Sequence, residues 1–326
     1  MPMQEVIKAY LDQIKIGRKQ SFKNLAIFPL LSTYSSDLDY LLLDEALREG
    51  LVEVVEVSKE GSVPELKVTN KSPRMILILD GEELVGAKQN RIVNTTILIQ
   101  GNTTIIIPVS CVEQRRWTYD SPRFSSGERI MTSHIRGLKA EQVYRSVRES
   151  GKYRSDQGAI WDEISSKAAR RGAASPSMAM NSIYEKDRGS TQEYLKHFSS
   201  IQGQMGAVFL INGKVMGLDS FGNPGTFSKT FKKLVESYAL DAIDWFDPAK
   251  EEKALKSEVT KLIKEFQITQ MEIHPSVGLG TDCRMESKKI TGFALALDDQ
   301  ILHLCIFYRD NEQRSHESGS RSSRAN

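Results

Sequence analysis

Residues 74–120 read RMILILDGEELVGAKQNRIVNTTILIQGNTTIIIPVSCVEQRRWTYD, and the rest of the chain is read outward from them. The apolar β-rich runs carry one polar stretch, GAKQNRIVN, and end in another, SCVEQRRW. A strand that changes from Ile and Val to Lys, Gln, Asn and Arg no longer only fills a core. Gly101 and Asn102 suit a two-residue hairpin turn. A turn centred on that pair sets Asn90 opposite Glu113 and Lys88 opposite Arg115. Cross-strand neighbours sit about 5 Å apart, so the four would form one polar patch. Arg91 then points to the other face, and a one-residue slip would undo the arrangement.

On the N-terminal side, Val6, Tyr10, Leu11 and Ile14 make a helical stripe. A strand is expected at 25–30, a short helix at 42–48 stopping at Gly50, and strands at 51–57 and 65–70. Within the opening stretch, strands are expected at 75–79, 84–87, 92–99 and 103–112. Beyond it, 118–137 lacks a clear period and reads as a long exposed loop. Helices follow at 139–150 and 155–171, with 172–181 irregular. Ser190 and Glu193 have capping-box spacing and open a further helix. Asn212-Gly213 marks a hairpin, and Asp247-Pro248 fits the start of a helix reaching Phe266. Strands at 291–297 and 301–308 close the ordered chain. Antiparallel hairpins and helices in blocks give an α+β fold with a sandwich-like core. A single domain is expected over 1–314, with a β-rich part at 20–120, an α+β part at 138–310, and a disordered tail at 315–326.

Composition narrows the function. The 326 residues are 40% hydrophobic and 26% charged, with net charge +2, so overall charge does not select a polyanion. Residues 115–171 nevertheless hold 13 Lys or Arg against 7 Asp or Glu, a local bias toward an anionic partner. Cys111, Cys283 and Cys305 are scattered without a CxxC or His/Cys cluster, so no metal site is expected and a reducing, cytoplasmic setting is. No leader-like or membrane-length apolar run is present. Tyr119, Phe124, Tyr144 and Tyr153 alternate with Arg, yet no recognisable nucleic-acid motif appears, so nucleic acid is not an expected partner.

Candidate chemistry concentrates in the opening stretch. Glu83 and Glu113 are candidate catalytic carboxylates, with Glu82 beside them, because glycosidic and N-ribosyl hydrolysis use such groups. Glu113 reads equally as an ion-pair partner of Lys88 or Arg115. Lys88, Gln89, Asn90, Arg91, Asn94, Arg115 and Arg116 are candidate ligand contacts, since guanidinium matches phosphate in geometry and charge. Trp117 is a candidate base-stacking platform; the plainer reading is a solvated sheet edge capped by a core Trp. Asp219, in the strand–loop–helix run KVMGLDSFGNPGTFSK, is a third catalytic candidate or a turn former. Cys111 reads as a core residue, as do His274 and His303 as structural ones. No cofactor is indicated.

The runs GEELVGAKQNRIVNTTILI and PVSCVEQRRW resemble the prokaryotic ARPP family, named for its gene association with ADP-ribosylglycohydrolases and rhodanese-phosphatases. The likeness continues through QGAIW at 157–161, GQMG at 203–206, GLDSF at 217–221, GLGTDCR at 278–284 and HLCIF at 303–307, covering about 24–308. It implies a role in NAD or ADP-ribose metabolism and carries over no catalytic residue. The expectation is therefore a protein that binds, and as an enzyme would hydrolyse, an ADP-ribose- or NAD-related metabolite. The alternative is a non-catalytic interaction or scaffold module using the 118–137 loop.

Overall fold

Two strands joined at Asn212-Gly213 form the middle of the largest sheet. Gln204–Ile211 and Lys214–Phe221 pair antiparallel, with both turn residues at positive φ (49° and 74°). Alternate residues face opposite layers, and both layers are covered. Val208 and Leu210 join the side closed by helices Met3–Asp12 and Lys256–Ile268. Ala207 and Phe209 join the side closed by the long helix Pro224–Asp244, where Phe209 stacks on Tyr238. This double burial is why the strand reads as a continuous apolar run. The computed structural model describes residues 2–58, 60–173, 175–248 and 253–309.

Nine strands make up this antiparallel sheet. Leu25–Leu31 flanks Gln204–Ile211, with Lys15–Ile16 and Gln20–Phe22 beside it. On the other side Lys214–Phe221 pairs with Gln300–Tyr308, followed by Ile290–Leu297, Thr281–Glu286 and Met271–Pro275. A three-stranded sheet runs Ile97–Ile99, Met75–Ile78, Tyr40–Leu42, the last pair parallel. The third sheet runs Phe124–Ile130, Glu82–Gly86, Arg91–Val93, Thr104–Cys111, Glu65–Asn70, Val52–Glu56. It curls around the apolar side chains of Val54, Leu66, Val68, Leu84, Val93 and Val109. Its two outer strands approach each other, and Arg123 Nε reaches Glu53 Oε1 at 2.5 Å across the gap. With helices Leu43–Arg48, Ser133–Ser150, Gln157–Arg171, Asn181–Lys186 and Arg188–Leu195 around them, the architecture is α+β.

Several expectations are corrected. The 118–137 segment contains the strand Phe124–Ile130 and the first turn of helix Ser133–Ser150. Its polar text reflects an exposed edge with a bulge between Ser126 and Ile130, where Glu128 has φ 54°. The expected strand at 92–99 divides into Arg91–Val93 and Ile97–Ile99, which serve different sheets. Ser190 lies inside Arg188–Leu195 and caps nothing. The last helix starts at Lys256, well after Pro248. Residues 315–326 lie outside the described residues.

Where the layers meet, four charged side chains are buried together. Arg136, on helix Ser133–Ser150, donates to both oxygens of Asp219, Nη2 to Oδ1 at 2.8 Å and Nη1 to Oδ2 at 3.2 Å. Its Nε donates to Asp80 Oδ2 at 3.3 Å, and Lys139 of the same helix bonds Asp80 Oδ1. Lys139 Nζ also donates to the carbonyls of Val93 (3.1 Å) and Asn94 (3.0 Å). Two cations thus balance two carboxylates and tie the large sheet to the junction of the smaller two. Removing one partner of such a cluster leaves a buried uncompensated charge. Arg136→Met is expected to destabilise the fold by about 3–5 kcal/mol in urea titrations. Lys261→Met, whose exposed pairing with Glu258 spans 2.7 Å, is expected to cost under about 1 kcal/mol.

Candidate functional site

One end of the curled sheet turns polar on its inner face. Along Val52–Glu56 the inward positions are Val52, Val54 and Glu56; along Thr104–Cys111 they are Ile107, Val109 and Cys111. On the short strand Arg91–Val93, Val93 faces the core while Arg91 stands directly opposite Cys111. Apolar filling therefore gives way to Glu56, Arg91 and Cys111 at the same end of three strands.

The register is one residue away from the expected hairpin. Val109 pairs with Val93, Ser110 with Ile92 and Cys111 with Arg91. The strand leaving Arg91–Val93 crosses to the three-stranded sheet before 101–102 is reached, so the turn does not dictate the pairing. Because side chains alternate, the slip moves Arg91 onto the face of Gln89 and Glu113. Arg91 Nη1 donates to Gln89 Oε1 at 3.0 Å, and Gln89 Nε2 donates to the Glu113 carbonyl at 2.9 Å. Glu113 Oε2 accepts from the Asn90 amide at 3.1 Å and from Arg116 Nη2 at 2.7 Å. Arg116 further donates to the Ala87 carbonyl at 2.7 Å and to Asn90 Oδ1 at 3.1 Å, bracing the loop.

Above this layer stand aromatic rings. Trp117 is 45% exposed, with Lys88 Nζ 5.2 Å and Arg91 Cζ 5.8 Å from its ring centroid. Tyr119, also exposed, has Lys88 Nζ 5.2 Å from its centroid. Lys88 itself donates to the Glu60 carbonyl at 2.6 Å.

The arrangement leaves hydrogen-bonding capacity unused at its centre. Arg91 is fully buried, and its Nε and Nη2 have no hydrogen-bond partner among the described residues. Among the described residues both carboxylate oxygens of Glu56 are likewise without one, and Arg91 Nη2 lies 3.9 Å from Oε1. Burial pushes the Arg91 guanidinium below its ordinary value, with Cys111 and Glu56 opposing. Burial also pushes the Glu113 carboxyl up, but its bonds to Arg116 and the Asn90 amide outweigh this and keep it below the usual carboxylate range. Glu113 is thus an ionised anchor, while Arg91 and Glu56 are the groups able to take a ligand. Glu56 is absent from the sequence-based candidates. Its signal was its phase, two residues after Val54 and out of step with the solvent-facing Glu53.

Other candidates lie elsewhere. Arg115 is exposed, its amide bonded to the Ser177 carbonyl at 3.0 Å, and its side chain does not join the group. Asn94 is buried between the Tyr153 carbonyl (3.0 Å) and Ser110 Oγ (2.7 Å). Glu82 bonds Lys233 and the Leu79 amide. Asp219 is not in a turn but inside Lys214–Phe221. Tyr238 Oη (3.2 Å) and the Cys305 thiol (3.3 Å) surround it in addition to Arg136, and His303 Nε2 lies at 3.3 Å. Burial would raise its carboxyl, but Arg136 and His303 hold it well below the ordinary range. The donor atoms of Asp219, His303 and Cys305 lie within 4.8 Å of one another. They do not suit a metal as they stand: Arg136 already occupies both Asp219 oxygens, and burial pushes the Cys305 thiol well above its ordinary value.

A family model described as ARG and Rhodanese-Phosphatase-superfamily-associated Protein domain matches residues 13–307. The chain belongs to this family. Neither a curated protein nor a solved structure matches it. The span of this ARPP chain that matches contains the whole polar end of the curled sheet, Glu56, Lys88, Arg91, Glu113 and Trp117 included. No helix among the described residues is long and apolar enough to cross a membrane.

Glu83 pairs with Ile92, on the face away from Arg91, and so is separated from the polar end of this ARPP chain. Both its oxygens are buried without a hydrogen-bond partner among the described residues, close behind Gly127. Burial pushes its carboxyl up from 4.5 to about 7, with Arg129 opposing and Glu113 adding. The neutral form is the one the fold favours, so the stabilising contribution is complete below pH 4.5 and is lost as pH rises to about 7. Glu83→Gln, neutral at every pH, is expected to gain on the order of 2 to 3 kcal/mol over the native chain above pH 8, and little at pH 4.5. Urea titrations at the two pH values measure the difference.

Proposed function

We propose that the polar end of the curled sheet binds a phosphate-bearing nucleotide of the ADP-ribose or NAD type. One observation carries this reading: a buried arginine, Arg91, with two donor positions unused, lies beneath an exposed tryptophan whose ring centroid is 5.8 Å away. Guanidinium donors fit phosphate oxygens. An exposed indole face fits a base, and stacking of that kind tolerates any base. Lys88 adds a second cation beside the same ring. The family name, with its ADP-ribosylglycohydrolase association, supports the same ligand class.

Binding is favoured over hydrolysis. Glu113, linked to Arg91 through Gln89, is already bonded to Arg116 and the Asn90 amide and is held ionised. Glu83, whose carboxyl takes up a proton near neutral pH, faces the opposite side of its strand. A general acid beside a bound nucleotide is therefore not provided by either.

Calorimetric titration with ADP-ribose tests the reading. The native chain is expected to bind, Trp117→Ala to weaken binding about 10-fold, and Arg91→Ala about 10- to 100-fold. The reading fails when no adenine nucleotide binds or shifts the melting temperature, or when a folded Arg91→Ala binds as the native chain does. A protein partner that co-purifies with a chain unresponsive to nucleotides would support the scaffold alternative instead.

A further inference from the structure

We infer that Glu56 sets the specificity of this site by accepting hydrogen bonds from sugar hydroxyls next to the ligand's phosphate. The inference rests on the nucleotide reading above and adds which nucleotides the site accepts.

Glu56 occupies an inward position of its strand in phase with Val52 and Val54, and its side chain is 3% exposed. An inward carboxylate at such a place is costly unless it is paired and hydrogen-bonded. Arg91 Nη2, 3.9 Å from Oε1, offsets charge without forming a hydrogen bond. Glu56 therefore keeps unused acceptors, while Arg91 keeps unused donors at Nε and Nη2. A matching ligand brings an anionic acceptor to Arg91 and, a few ångströms away, hydroxyl donors to Glu56.

Inorganic phosphate and pyrophosphate meet only half of that requirement. A ribose with free hydroxyls, linked to a phosphate, meets both halves. Carboxylates hydrogen-bonding a ribose 2′-hydroxyl are the established solution in dinucleotide-binding folds, where they also disfavour a 2′-phosphate. The same charge logic applies here, since a 2′-phosphate would be set against Glu56.

Gly61 packs against the same group. It has φ +78°, and a Cβ there would come within 3.4 Å of Glu56 Oε2, 3.2 Å of Lys88 Cδ and 3.4 Å of Trp117 Cζ2. The carboxylate, the lysine stem and the indole thus converge on Gly61, whose left-handed φ favours glycine.

Calorimetry with ADP, 2′-deoxy-ADP, adenosine 2′,5′-bisphosphate and pyrophosphate decides the matter. The native chain is expected to prefer ADP over 2′-deoxy-ADP and over the bisphosphate by about 10-fold or more, and to bind pyrophosphate more weakly than ADP. Glu56→Gln keeps the shape and removes the charge, so its penalty against the bisphosphate is expected to fall by about 10-fold. Should that variant not fold, the native chain's preferences alone decide. Equal affinity of the native chain for ADP and 2′-deoxy-ADP overturns the role of Glu56 while leaving the nucleotide site intact. Absence of binding by all three nucleotides overturns the underlying reading as well.

Discussion

Asp80, Arg136, Lys139 and Asp219 meet where the layers of the protein join, and the remaining structure depends on their mutual satisfaction. Each would be prohibitively costly to bury alone. Together they form an alternating set whose hydrogen bonds also reach Tyr238, Cys305 and the carbonyls of Val93 and Asn94. The cluster fixes more than charge balance. Asp80 sits in the short link between Met75–Ile78 and Glu82–Gly86, and Asn94 in the link between Arg91–Val93 and Ile97–Ile99. Both links carry the chain between the three-stranded sheet and the curled one. Helix Ser133–Ser150, through Lys139, holds the two crossings together. The neighbouring residues are secured from the large sheet, Thr95 by Arg284 Nη2 at 2.5 Å and Thr96 by His303 Nδ1 at 2.7 Å.

Much of this was legible from residue patterns, and the exceptions have physical causes. Strands buried on both faces, such as Gln204–Ile211, announce themselves by continuous apolar text, and Asn212-Gly213 announces its own turn. Phe124–Ile130 was not legible, because its edge position and bulge remove the alternation that marks a strand. Asp219 looked like a turn residue because Gly and Asp sit together in GLDSF, whereas its burial depends on an arginine 83 positions away. Sequence spacing cannot show such a pairing.

The polar end of the curled sheet illustrates the same limit in finer detail. Its residue types were recognisable in GAKQNRIVN and SCVEQRRW. Their grouping depended on a register that the 101–102 turn does not control, because the chain visits a second sheet first. A shift of one residue exchanged Gln114 for Glu113 as the neighbour of Gln89 and brought Arg91 to the same side. Glu56 comes from a strand far earlier in the chain and becomes relevant only when the sheet curls.

The two sheet crossings have a consequence for recognition. Arg91 is separated from Asn94 by two residues, and that crossing is held by a helix and by the large sheet through charged and hydroxyl side chains. The strand backbone that carries Arg91 is thereby fixed by the body of the protein, while the guanidinium itself bonds to Gln89 in the turn before it. For a ligand bound as proposed, the strand backbone is already fixed, so little of its ordering is subtracted from the contact energy. What remains adjustable is the upper wall, where Trp117 and Tyr119 stand exposed on irregular chain. Recognition would then divide into a rigid floor that selects and a compliant rim that accommodates.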